Sequence, residues 1–376
     1  MAVKQIYTII NSVVNQGLGS TALTTVDEQG LISLGKEVLS SATNTNNFIN
    51  TLVDLIGRDI ISGRKYTSKF SGIYRSNFDY GLFLRKITVE MPDAEADQSV
   101  DLNDGNSVDM YKIKKPKADQ KIFGTKTPWQ IMITIQRKHL KNAFHSESEM
   151  ETFINSVYLQ VQNKIELIMD DMGRNCINNY MAEVSDKDTR AINLLTLFNT
   201  KSGKKLTSAN CLFDAQFLRF CTAQINLISK KMTDMSVLYN DGTLKRHTPK
   251  EYQRLYVLDD FEETLNSEML SGAFHDGYVK LPGYDTVSYW QSAQKPNEID
   301  ITRASDGGNK KVSGIVACLF DIEALGTYRE DEWSSTTPFN SAGGYWNTYW
   351  HFEKAWFNDL SENFVMFYIA DTPEAA

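Results

Sequence analysis

The sequence is poor in the patterns on which secreted, membrane and catalytic proteins are built. Its four cysteines, Cys176, Cys211, Cys221 and Cys318, are scattered without a short pairing. That suits a reducing compartment and argues against a disulfide framework or a zinc knuckle. No apolar run approaches the length of a membrane span, and Met1–Ile10 lacks the basic-then-apolar order of a secretion signal. No glycine-rich loop ends in Lys-Ser or Lys-Thr. Gly17-Leu18-Gly19 and Gly307-Gly308-Asn309-Lys310-Lys311 read as turns rather than phosphate cradles. No serine sits in a nucleophile elbow. The five histidines, His139, His145, His247, His275 and His351, include no pair at helical ligand spacing, which argues against zinc. Asp170 and Asp171 are neighbours on a helix and point about 100° apart, so they read as a polar face or an intersubunit salt bridge, not an acid/base pair. The net charge of −8 comes without a basic stripe. Dedicated nucleic-acid binding needs such a stripe to neutralise phosphates, although a wall that merely faces nucleic acid does not. The reading assigns no catalytic, cofactor-binding or metal-binding residue.

What is present is the composition of a folded protein, 376 residues long, enough for two or three cores. The most ordered pattern runs from Ser146 to Val184. Apolar residues recur every three or four positions at Met150, Ile154, Val157, Val161, Ile165, Ile168, Met172, Cys176 and Tyr180, one face of a helix. Gln160, Gln162, Lys164, Glu166 and Asp170 are expected on wet faces. Ser146 and Glu149 form a capping box at its start. Unbroken, the helix would span on the order of 55 Å. Gly173 is its one weak point, where it either bends or separates into two helices.

Before this helix come three short amphipathic patterns: Ile6–Val14, Leu31–Leu39 and Asn47–Ile56. They are joined by polar clusters such as Ser40–Asn47 that read as exposed connections. Such small pieces must dock on their own chain or on a neighbour. Leu82–Met91 then reads as a strand stopped by Pro92, with Trp129–Ile135 as its partner and Ile131, Ile133 and Ile135 on one face. Between them lies a polar excursion of roughly 35 residues, against the 2–5 of a usual hairpin loop. Its outgoing limb is acidic (Asp93, Glu95, Asp97, Asp101, Asp104, Asp109) and its return limb basic (Lys112, Lys114, Lys115, Lys117, Lys121). These limbs can pair with each other or with complementary charges on an adjacent copy. After the long helix, Ser208–Ser229 and Phe261–Leu270 read as helices. Tyr252–Leu258, Tyr278–Leu281, Thr286–Tyr289, the apolar run Val312–Phe320, Tyr345–Phe352 and Asn363–Ile369 read as strands. The aromatics from Tyr345 to Phe357 read as packing. No internal repeat is found, and strands and helices mix without a βαβ rhythm, which makes the class α+β.

This order of parts (an arm, a long charged hairpin, one long helix, then a mixed domain with late returning strands) resembles the major capsid protein of tailed double-stranded DNA bacteriophages, the Hong Kong 97-like fold. The stretch Gly314–Gly326, Thr337-Pro338-Phe339-Asn340 and Asn358-Asp359-Leu360-Ser361-Glu362-Asn363 resembles the closing region of capsid proteins from gut and Gram-positive phages. The resemblance implies a partly helical N-terminal arm at 1–66 and an extended loop with flanking strands at 67–145. It implies a spine helix and peripheral domain at 146–206, an axial domain at 207–328, and a return to the peripheral domain at 329–376. It further implies a structural, non-enzymatic protein that self-assembles into hexamers and pentamers of an icosahedral shell. That shell would enclose double-stranded DNA without sequence-specific binding. The implied partners are a separate scaffolding protein and a portal, with room for a decoration protein and no membrane. The implied location is the virion, with assembly in the host cytoplasm. On this reading Gly173 is a flex point for maturation. A nanocompartment shell of the same fold and a soluble carbohydrate-active enzyme are the alternatives.

Overall fold

The computed structural model describes residues 10–16, 28–56, 66–75, 84–92, 94–95, 97, 103–105, 107–111, 113–124, 126–154, 157, 159–242, 244–272, 283–303 and 305–371. The expected strand at Tyr278–Leu281 lies outside them. The N-terminal patterns form α1 (residues 10–16), α2 (Glu28–Val38) and α3 (Ala42–Ile56). Their apolar faces, including Val13, Leu34, Val38 and Phe48, pack with Phe144, Met150 and Ile154 of the same chain. Part of Ser40–Asn47 is the start of α3 rather than a connection. The Ser41 hydroxyl accepts the Asn44 N–H at 3.0 Å, and Thr45 Oγ1 donates back to the Val38 carbonyl at 2.8 Å.

Two sheets carry the body. The first is antiparallel, in the order β10 (Leu325–Thr336), β11 (Tyr345–Asn358), β3 (Lys126–Gln136). The second is mixed, in the order β4 (Ala191–Asn193), β12 (Phe364–Tyr368), β9 (Ile315–Asp321), β5 (Gln253–Leu258), β6 (Asp285–Val287). Helices α7 (Leu194–Ser202), α8 (Ala215–Lys231) and α9 (Asp259–Gly272) pack with it in the main core. Asn193 and Asp214 start α7 and α8 by accepting backbone N–H groups of the first turn, the usual work of cap residues. Two smaller antiparallel pairs complete the described strands: β1 (Leu84–Val89) with β2 (Ala118–Phe123), and β7 (Ile299–Thr302) with β8 (Asn309–Val312).

One helix joins the two sheets. The pattern at Ser146–Val184 resolves into α5 (Glu147–Ile154) and α6 (Gln160–Val184), following α4 (Arg137–Ala143). Ser146 Oγ accepts the Glu149 N–H at 3.3 Å, one half of the expected capping box. Val157 and Leu159 lie in a π-helical turn, and Leu159 already has helical dihedrals of −62° and −36°. Gly173, where the sequence pattern allows a break, lies inside the unbroken helix α6. The first half of α6 sets Val161, Ile165 and Ile168 against Phe352 of β11. The second half puts Cys176, Ile177, Tyr180 and Met181 into the core beneath the five-stranded sheet. At 25 residues, α6 is about 37 Å long, enough to span both layers.

Gly173 is required for close approach. A Cβ built there would lie 2.9 Å from Phe70 Cβ and 3.2 Å from Ile73 Cδ1, so the turn at 70–73 packs onto the bare helix surface. One helical turn away, Asp170 is buried, a correction to its expected place on a wet face. It accepts from Ser68 Oγ at 2.8 Å and from Arg174 Nη2 at 2.9 Å. The Arg174 guanidinium stacks 3.9 Å from the Tyr289 ring centroid.

Three further expectations change. The partner of β1 is β2, and β3 pairs with β11 instead. The apolar run Val312–Phe320 is not one strand: Gly314, with φ +76°, divides β8 from β9. A Cβ at Gly314 would sit 1.9 Å from the Ile369 carbonyl oxygen. Leu325–Thr336, to which the sequence pattern assigns no element, forms β10, and β11 continues through Asn358, past Phe352 where the pattern ends it.

Candidate assembly interface

Among the described residues, the hairpin built on β1 and β2 exposes a group of large hydrophobic side chains, Ile87, Val89 and Ile122 on its strands and Met110, Tyr111 and Ile113 between them. The strands pair antiparallel in one register, from Leu84 opposite Phe123 to Val89 opposite Ala118. Side chains alternate between faces. Leu84, Lys86, Thr88, Lys121 and Phe123 are half-buried, whereas Arg85, Ile87, Val89 and Ile122 are exposed. A two-stranded ribbon with three exposed β-branched residues is marginal by itself in water. It is held at its root.

The root begins with apolar contact. Leu84 and Phe123 pack on Tyr328, Ala355 and Phe357, and the Phe123 and Phe357 ring centroids are 5.4 Å apart. The next residues outward are charged. Lys86 Nζ lies 2.6 Å from Glu362 and 2.9 Å from Asp359, while Lys121 Nζ lies 2.7 Å from Asp359. Arg246 sits 3.2 Å from Glu362 and donates to Thr88 Oγ1 at 3.2 Å. The turn that presents these carboxylates is fixed from below. Tyr180 of α6 places its hydroxyl 2.9 Å and 3.1 Å from the carbonyl oxygens of Asp359 and Glu362, and Ser361 Oγ donates to Asp359 at 2.7 Å.

Burial and charge pull these groups in different directions. Burial alone would raise the Asp359 carboxyl, but the Lys121 hydrogen bond, the Lys86 charge and Ser361 together hold it well below the usual carboxylate range. At Glu362 burial prevails over Lys86 and Arg246, and the carboxyl is raised above its ordinary 4.5. Burial would lower Lys86, yet Glu362 and Asp359 outweigh it and the ammonium stays charged above its ordinary 10.5. The cluster is a clamp: both cationic strands of the hairpin grip one buried turn.

Beyond the clamp, the charged limbs are partly paired within the hairpin, through Lys114 with Glu95 and Lys117 with Glu90. Asp93, Asp101 and Lys112 lie outside the described residues. Asp109 accepts the Tyr111 N–H at 2.9 Å and turns the chain. Next to it Met110, Tyr111 and Ile113 are 79%, 78% and 80% exposed. Sequence reading placed Lys121 on the basic limb but singled out neither Lys86 nor the two carboxylates that receive them, Asp359 and Glu362, which it read only within the stretch that resembles a capsid closing region. The expected aromatic packing at Trp346, Phe352 and Phe357 is buried as such.

Burial raises the Cys176 thiol to about 12 and the Cys211 thiol to about 11, so neither is a nucleophile at neutral pH. Among the described residues no three His, Cys, Asp or Glu side chains converge as metal ligands, and no helix is long and apolar enough to cross a membrane.

A family model for Phi29-like phage major capsid proteins matches residues 10–368. The major capsid protein of Bacillus phage PZA is 22% identical over 378 aligned positions, covering 99% of this chain and 75% of the relative. That of Bacillus phage GA-1 is 22% identical over 191 positions, covering 49% of this chain and 38% of the relative. Among solved structures, the capsid of Staphylococcus phage Andhra contains a chain with TM-score 0.53 at 12% identity, covering 84% of this chain and 87% of that one. The head-fibre and inner-core-protein structure of bacteriophage P68 contains one with TM-score 0.51 at 11% identity, covering 83% and 87%. Likenesses at that identity establish the fold, which is the α+β Hong Kong 97-like fold of tailed-phage capsids. With its model matched across nearly the whole sequence, the chain belongs to the Phi29-like phage major capsid protein family.

Proposed function

We propose that this chain is the self-assembling subunit of an icosahedral phage head, forming hexamers and pentamers that close around double-stranded DNA. The observation that carries this is the hairpin. It is anchored at its root by a buried ionic clamp, yet it presents an apolar face at Ile87, Val89 and Ile122 and an apolar tip at Met110, Tyr111 and Ile113. An exposed ribbon of this kind gains its stability from neighbours. The chain works as a container without catalysing a reaction, and its net charge of −8 lets the wall face DNA without gripping it.

On this reading residues 1–66 are the arm and 67–145 contain the extended loop. Helix α6 is the spine, and the three-stranded sheet belongs to the peripheral domain. The axial domain is centred on 207–328, with β4 and β12 completing its sheet. A separate scaffolding protein and a portal serve assembly in the host cytoplasm, and the outer surface leaves room for a decoration protein. Sedimentation of the protein expressed with the phage's other head genes tests the reading. Capsomers or shells are expected, and a population of small oligomers alone would refute it.

A further inference from the structure

Asp-Gly pairs occur in the sequence at 104–105, 241–242, 276–277 and 306–307, and no Asn-Gly pair occurs. In such a pair the backbone nitrogen of the glycine can attack the side-chain carboxyl of the aspartate, because glycine has no Cβ to obstruct the approach. A fold prevents this where it engages the glycine N–H or holds the carboxylate, since that contact must first open. The pair at 276–277 lies outside the described residues, and the other three differ in these respects. At Asp306 both protections are present. The Gly307 N–H donates to the Arg303 carbonyl at 3.1 Å, and the Asp306 carboxylate accepts the Gly308 N–H at 2.8 Å and lies 2.5 Å from Arg303 Nη2. At Asp241 the side chain is exposed but the backbone is pinned. The Asp241 N–H donates to the Leu360 carbonyl at 2.8 Å, and Asn240 Nδ2 ties the loop to the Leu244 carbonyl at 2.7 Å.

Asp104 has neither protection. It lies in a turn of the segment that joins β1 to β2, where Asn103, Asp104 and Gly105 are all exposed. Among the described residues, neither its carboxylate nor the Gly105 N–H has a hydrogen-bond or ion-pair partner. Gly105 takes φ +92°, and a Cβ built there would meet nothing within 4 Å. Bringing Gly105 N onto Asp104 Cγ therefore needs rotation within the turn and breaks no contact with a described residue.

We propose that Asp104 is a site of spontaneous isomerisation to isoaspartate, with Asp306 protected and Asp241 intermediate. The lone pair of Gly105 N forms a bond to Asp104 Cγ. The nitrogen gives up its proton and the carboxyl its hydroxyl, which leave together as one water, and a cyclic imide remains. Water then adds to either carbonyl of the imide. Opening at Cγ restores aspartate. Opening at the backbone carbonyl gives isoaspartate, in which the main chain runs through Cβ and Cγ and the former backbone carbonyl becomes a free carboxylate. The mass of the chain is unchanged, its backbone is one methylene longer at this turn, and the modification records the age of the chain. The inference stands on the subunit alone and does not depend on the shell reading.

The test uses the full-length, unassembled chain, held for weeks at mildly acid pH and physiological temperature, folded in one arm and in guanidinium chloride in the other. The peptides carrying each Asp-Gly pair are then resolved by chromatography and mass spectrometry. An isoaspartyl carboxyl methyltransferase with labelled S-adenosylmethionine identifies the isomer by esterifying its new carboxylate. In denaturant the three pairs should isomerise at rates within about threefold of one another. In the folded chain Asp104 should stay within about threefold of its unfolded rate, while Asp306 slows at least tenfold. Asp104→Glu, whose longer side chain cannot close the same ring, should remove the signal from that peptide alone. Folded-state protection of Asp104 as strong as that of Asp306 overturns the proposal, as does an absence of isoaspartate at Asp104 in both arms.

Discussion

Replacing Asp359 by Asn should release the hairpin before it unfolds the body. Asp359 is buried and lies 2.7 Å from Lys121 Nζ and 2.9 Å from Lys86 Nζ. Removing one member of a buried ion pair costs about 3–5 kcal/mol when the other is stranded. Here the loss is smaller. The Lys121 side chain is 38% exposed and can turn to water, and Lys86 keeps Glu362 at 2.6 Å. A cost of about 2 kcal/mol is a fair expectation, equivalent to roughly a thirtyfold change in a local opening equilibrium. The loss should concentrate in β1 and β2, whose remaining anchors include Leu84, Phe123, the Lys86–Glu362 pair and the Arg246–Thr88 contact. Native-state hydrogen exchange on unassembled subunits reads this directly. Amides of residues 84–89 and 118–123 should exchange roughly thirty times faster, with those of α6 and β9 changed several-fold less. Uniform acceleration across the chain, or hairpin exchange within threefold of wild type, would refute the clamp.

Three other outcomes follow from the same contacts. Gly173→Ala gains about 1 kcal/mol of helix propensity but places a methyl 2.9 Å from Phe70 Cβ, which cannot rotate away. Overpacking of about 1–3 kcal/mol should make the variant no more stable than wild type in denaturant, and a clear gain would show that the 70–73 turn yields freely. Gly314→Ala meets both a left-handed backbone and the Ile369 carbonyl, and a loss of about 2–5 kcal/mol is expected, where near-neutral stability would contradict the tight approach. The clamp also has an opposed pH dependence. Asp359, with its pKa depressed, adds stability above its ordinary 3.8 that is lost as pH falls towards the folded value. Glu362, with its pKa raised, makes the native state less favourable as pH rises from 4.5 through the folded value. The urea midpoint of Glu362→Gln relative to wild type should therefore climb across that window, and a falling difference would reverse the assigned sign.

Much of the fold was legible because burial imposes period. The spacing from Met150 to Tyr180 gave α5 and α6 their buried face, and alternation at Ile131, Ile133 and Ile135 gave β3. Where charge interrupts alternation, strands are hidden. Leu325–Thr336 carries Arg329, Glu330, Asp331 and Glu332, and its register against β11 slips between Glu330 and Trp333. Strand β2, Ala118–Phe123, is mostly exposed and so lacks an apolar face to betray it. Gly314 within an apolar run was the available sign of a break. Of the candidate interface, the acidic and basic limbs were visible, but their partners were not. Lys86 and Lys121 meet Asp359 and Glu362 across more than two hundred positions of chain, and no local pattern encodes that meeting.

Whether this chain tiles can be seen directly. Negative-stain microscopy of the protein, expressed with the phage's other head genes and purified by size, should show closed shells of uniform diameter with angular facets. A homogeneous preparation of discrete small particles under those conditions, with no shell in any fraction, would contradict it.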